Sequence, residues 1–69
     1  MIAMENQILE LRKAMGLRQE DLAAQLHVTR QTINAVENNK YNPTLELAMK
    51  LARLLNAPVE TLFHLPEDL

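Results

Sequence analysis

Residues 19–42, QEDLAAQLHVTRQTINAVENNKYN, decide the reading of this chain. Leu22, Ala23 and Leu26 fall on one stripe behind Gln19, Glu20 and Asp21, so a helix is expected over 19–26. Its acidic first turn suits the positive end of the helix dipole. His27 and Val28 form a turn. Thr29 then offers a hydroxyl to an early backbone N–H of a second helix over 30–37. That helix buries Ile33 and Val36 and leaves Arg30, Gln31, Asn34 and Ala35 to other faces. Asn38 and Asn39 end it, because asparagine tolerates a positive φ. Two short helices, a tight turn and an exposed polar start to the second form a geometry that carries side chains into the major groove of DNA.

On the N-terminal side, Ile8, Leu11 and Met15 make an apolar stripe over 5–15, with Glu5, Glu10 and Lys13 outside it. Gly16 stops that helix, since glycine enters the left-handed region without penalty. On the other side, Thr44 caps a helix over 45–55 with Leu45, Ala48, Leu51, Ala52 and Leu55 on its apolar face. Asn56 and Ala57 end it. Pro58 tolerates the edge of a short last helix over 59–63, where no backbone N–H is needed. The tail after Pro66 reads as loose. No alternation of strand type, no repeat and no low-complexity linker is present. The expected fold is all-α: five helices around one core, a single domain of 1–69 with its core over about 6–65.

Sixty-nine residues leave room for one small domain and not for a separate effector or ligand-sensing domain. A binding module is favoured over an enzyme with a deep pocket, and no small-molecule pocket is expected. With no cysteine and two distant histidines, His27 and His64, neither disulfides nor a zinc site are expected. No glycine-rich phosphate loop or catalytic constellation is present, so no cofactor is expected. No apolar run reaches membrane-spanning length, and MIAMENQ lacks the features of a signal peptide. A reduced, cytoplasmic setting fits. The net charge of −2 argues mildly against a nucleic-acid partner, but its distribution points the other way. Residues 11–43 hold Arg12, Lys13, Arg18, Arg30 and Lys40 against Glu20, Asp21 and Glu37, a balance of +2. The remainder carries −4. So small a surplus implies weak, salt-dependent non-specific affinity.

Three pieces in order, LRKAMGLRQEDLA, LHVTRQTINAVENNKYNPTLELAMKLARLL and PVETLF, resemble the repressor-type helix-turn-helix family, the Xre/Cro (Cro/C1-type) regulators with a lambda-repressor-like fold. The resemblance covers about residues 6–65. It implies that the third helix lies in the major groove. Arg30 then matches a position contacting bases or phosphates, and arginine pairs bidentately with guanine O6 and N7. Gln31 matches a base-reading position suited to adenine N6 and N7. Asn34, one turn on, reaches a base edge or the backbone. Gln19 matches a glutamine that contacts a phosphate and braces the third helix. Arg18, Thr29, Asn39, Lys40 and Asn42 complete the implied phosphate contacts, which position the reader without supplying the code. Arg12 matches an arginine that bonds the glutamate at Glu37. Tyr41 either packs over the loop or points its hydroxyl at phosphate, packing being the safer reading.

The chain departs from the family pattern in three places. His27 stands where glycine is common, which puts a side chain at an angle costing about 1 kcal/mol or more. Arg18 replaces a capping serine or threonine, a loss of roughly 1 kcal/mol. Ala35 and Val36 replace what are often a longer polar residue and a tryptophan. The reading is a sequence-specific double-stranded DNA binder, most simply a repressor, acting as a homodimer. Val59, Leu62, Phe63, Leu65 and Leu69 offer either a dimer surface or closure of the small core. The alternative from another class is an antitoxin-like module of a toxin–antitoxin pair. Such a module is expected to carry a longer partner-wrapping tail than the six residues after Phe63.

Overall fold

The computed structural model describes residues 5–40 and 42–65. Tyr41, the tail after Leu65 and Leu69 within it lie outside the described residues. Five helices follow one another: α1 (Ile8–Ala14), α2 (Gln19–Leu26), α3 (Arg30–Glu37), α4 (Leu45–Leu54) and α5 (Val59–Leu62). Thr29 and Thr44 cap α3 and α4 as their types predict, accepting the Thr32 and Leu47 N–H groups at 3.2 Å each.

The first four helices close in one way. The N–H of a residue just past each helix end bonds back to the carbonyl five residues earlier: Leu17 to Arg12, Val28 to Ala23, Lys40 to Ala35 and Ala57 to Ala52, at 2.9–3.0 Å. The residue immediately before each of these donors takes the left-handed conformation: Gly16, His27, Asn39 and Asn56, with φ of 73°, 58°, 58° and 56°. Between α2 and α3 this stop leaves a connection of three residues, 27–29.

The all-α class holds, with a small addition that the sequence did not announce. Glu5–Asn6 (β1) and Phe63–His64 (β2) pair antiparallel, with Asn6 opposite Phe63. Residue 5 therefore does not begin a helix, and Phe63 lies past the end of α5 with extended backbone. Asn6 ends the strand by accepting the Ile8 N–H on its side-chain oxygen at 3.1 Å, a local turn that starts α1.

Ile8, Leu22, Ile33, Val36, Leu51 and Leu62 are fully enclosed, and Phe63 is buried beside them. Two expected core positions are corrected. Met15 lies past the end of α1 and is about half exposed, while Leu45 is 73% exposed and Leu47 is buried in its place. In α4, residues 45, 47, 51 and 54 are all leucine, more than one stripe can hold. Packing against α2 selects the face through Leu47, Ala48 and Leu51.

Candidate nucleic-acid interface

Arg12 on α1 is a charged residue buried in the core. Its Nε and Nη2 donate to Glu37 at 2.7 and 3.1 Å, and its Nη1 donates to the Leu17 carbonyl at 3.0 Å. Gln19, at the start of α2, donates its Nε2 to the same Glu37 at 2.9 Å. The two side chains of the ion pair are 8% and 4% exposed. A pair so enclosed is worth little against an apolar replacement, but removing one partner strands a charge, at about 3–5 kcal/mol. Its consequence is orientation: the last residue of α3 is tied to α1 and α2 together. Gln19 thus ties the start of α2 to the end of α3.

At the opposite end of α3, Arg30 and Gln31 are exposed and have no hydrogen-bond partner among the described residues. Ile33 and Val36 are buried on the reverse side, so the helix turns residues 30, 31 and 34 outward. Asn34 is exposed too, and its Oδ1 accepts from Asn38 Nδ2 at 3.2 Å. The same Nδ2 caps the Asn34 carbonyl at 2.9 Å. This contact occupies one of the two acceptor positions of the Asn34 oxygen and leaves its amide hydrogens without a partner among the described residues.

The expected phosphate contacts divide. Asn39 and Lys40 are exposed in the turn that closes α3, and Asn42 is exposed beyond it. Thr29 uses its hydroxyl on the cap and on Thr32 Oγ1 at 3.0 Å. Arg18 is 71% exposed at its side chain but engaged: its Nε and Nη2 donate to Asp21 at 3.1 and 3.2 Å, and Glu20 lies 3.8 Å away. These hydrogen bonds, then the one from the Arg18 backbone, hold the Asp21 carboxyl below its usual 3.8. The expected loss of the α2 cap is therefore half right. A guanidinium has no acceptor, so Arg18 cannot cap, yet Asp21 reaches back to the Arg18 N–H at 2.9 Å. Two residues carry more than the sequence suggests, Asn38 and Asn6. Asn6 donates to the Val36 carbonyl at 2.7 Å and to Asn39 Oδ1 at 2.9 Å. An asparagine two residues before a helix is the available signal for its turn, but nothing local announces contacts thirty residues away.

Leu62 and Phe63, expected either at a dimer surface or in the core, go to the core, while Leu65 is exposed and Val59 half-buried. With Pro43, Leu45 and Ala48, Phe63, Val59 and Leu65 line an open apolar groove. No cluster of histidine and acidic side chains among the described residues is arranged to hold a metal ion. No described helix is long and apolar enough to cross a membrane.

The sequence profile described as helix-turn-helix (HTH_3) matches residues 8–62. An uncharacterized HTH-type transcriptional regulator of Archaeoglobus fulgidus is 48% identical over 65 residues, covering 94% of this chain and 93% of that one. Another, from Methanothermobacter thermautotrophicus, is 48% identical over 66 residues, covering 94% and 96%. The uncharacterized HTH-type regulator YgzD of Bacillus subtilis is 40% identical over 65 residues, covering 94% and 98%. The crystal structure of a Bacteroides fragilis protein assigned as DNA-binding superposes with a TM-score of 0.79 at 30% identity, covering 88% of this chain and 98% of that one.

Proposed function

This chain belongs to the helix-turn-helix family of the Xre/Cro type, and on that premise we propose that it is a sequence-specific double-stranded DNA-binding regulator, acting as a repressor. The observation that carries the reading is the contrast between the two ends of α3. Glu37 is clamped by Arg12 and Gln19, while Arg30 and Gln31 stand exposed without a protein partner among the described residues. A recognition helix needs one end fixed and the other free to meet base edges.

Arg30 and Gln31 read bases, the first by pairing with guanine and the second with adenine. Asn34 adds a donor to a purine acceptor or to the backbone. Gln19, through its second amide hydrogen, joins the N–H groups opening α2 in holding a phosphate. Asn39, Lys40, Asn42 and Thr29 hold the strand about α3. Arg18 joins them by exchanging its exposed contacts with Asp21 and Glu20, which are worth little in water. One such helix reads few bases, so the protein works as a homodimer on half-sites about 34–36 Å apart. Exposed Leu45, Met49 and Leu65 supply apolar surface for that association. Occupied promoter DNA excludes polymerase.

Two variants separate reading from gripping. Gln31→Ala is expected to relax preference at one position of each half-site, at a cost of about 1–3 kcal/mol on the preferred duplex. Lys40→Ala is expected to weaken binding to all duplexes alike and to lower the salt slope by about 1. Titration of labelled duplexes at several salt concentrations measures both. Equal effects of the two variants on every sequence would overturn the assignment of α3 as reader.

A further inference from the structure

Asn6 joins three parts of the molecule: the β1–β2 ribbon, the start of α1 and the end of α3. Its backbone lies in β1, opposite Phe63, and the neighbouring Gln7 N–H bonds the Leu62 carbonyl at 2.9 Å. Its Oδ1 accepts the Ile8 N–H at the start of α1. Its Nδ2 donates both to the Val36 carbonyl, in the last turn of α3, and to Asn39 Oδ1 in the turn that follows. The Val36 carbonyl also receives the Asn39 N–H at 3.1 Å. Both polar atoms of the Asn6 amide are therefore engaged, and only the contact to Ile8 is local.

The placement matters because Asn39 is the left-handed residue of that turn, with φ 58°, and Lys40 follows directly. The Asn39 side chain is otherwise exposed. A short turn held only by its backbone bonds leaves the Lys40 stem to sample many directions, and an unfixed lysine loses more entropy when it meets a phosphate.

We infer that Asn6 is a positioning residue for DNA binding: by fastening the end of α3 and Asn39 to the β1–β2 ribbon, it presets the loop through which Lys40 grips the phosphate backbone. The inference rests on the DNA-binding reading above. Asn6 acts through this loop and not by touching DNA.

The test uses the full chain and two variants that keep an acceptor for the Ile8 N–H. Asn6→Ser retains a hydroxyl but not the reach to Val36 and Asn39, and Asn6→Asp retains size but loses both donors. At a temperature where thermal unfolding shows the variant folded, Asn6→Ser is expected to weaken binding to preferred and random duplexes alike by about two- to tenfold. Combined with Lys40→Ala, it is expected to cost less than the product of the two single losses, since both act on one contact. Faster hydrogen exchange at the Lys40 amide, without a matching change in α2, is the accompanying signature.

Wild-type affinity in a folded Asn6→Ser protein, or losses that multiply with Lys40→Ala, would overturn the inference and leave Asn6 a staple of the ribbon. Failure of both variants to fold would do the same. A wild-type protein that binds no duplex removes the DNA-binding reading, and the inference with it; binding by wild type with unchanged variants removes the inference alone.

Discussion

His27 carries an imidazole through a left-handed turn at φ 58°, where a Cβ meets the backbone unfavourably. The side chain is exposed and makes no hydrogen bond among the described residues, so nothing described in the folded state offsets the strain. His27→Gly removes it but gives the unfolded chain more freedom. The balance is an expected gain of about 0.5–1 kcal/mol, read from urea unfolding midpoints. A destabilised His27→Gly protein would show that the strain at His27 is smaller than the unfolded-state freedom that glycine adds. Gly16 sits at φ 73° with open space around it, so any strain on substitution there belongs to the backbone alone. Single residues are partly legible in the sequence. Gly16, Asn39 and Asn56 are residue types that suit a positive φ, whereas His27 is recognisable there only through the family pattern. The Arg12–Glu37 pair is likewise visible only through resemblance, because 25 positions separate its members and no local rule links them.

Among the elements, α2 and α3 are legible to the residue because each has a single apolar stripe; α3 adds a capping threonine and an asparagine stop, while the ends of α2 are marked by its acidic first turn and by the family pattern at His27. The ends of the chain are not. Strands of two residues are too short to show alternation, so the pattern merges β1 with the first turn of α1 and Phe63 with the end of α5. In α4 the surplus of leucine makes the stripe ambiguous, and tertiary packing resolves it. The two faces differ measurably. Leu47→Ala is expected to cost about 2–5 kcal/mol because it opens a cavity in the core. Leu45→Ala is expected to stay within about 0.5 kcal/mol in the monomer. Chemical denaturation of both at low protein concentration distinguishes them. Comparable losses would mean that α4 is rotated from the orientation described.

For the whole molecule, the division of labour follows from size. A domain this small has one core, and its stability is of order 3–5 kcal/mol without staples. It devotes a buried ion pair and an asparagine-rich turn to fixing one short helix by its far end. On the proposed function, the exposed side chains of α3 are the part left over for a partner. The local charge of residues 11–43 is only +2, so on the proposed function general attraction to DNA is weak and discrimination falls to base contacts. The fold class is readable from patterning and resemblance, and the same reading proposes where the site lies. The Asn6 link and the Asn38–Asn34 hydrogen bond are not readable in this way, since both depend on distances that exist only after folding.

Selection of bound duplexes from a random DNA pool at near-physiological salt, followed by sequencing, is the decisive test of sequence-specific reading. A homodimeric reader predicts a two-fold symmetric motif with half-sites centred one helical turn, roughly 10 base pairs, apart. A pool that emerges without any enriched sequence would contradict it.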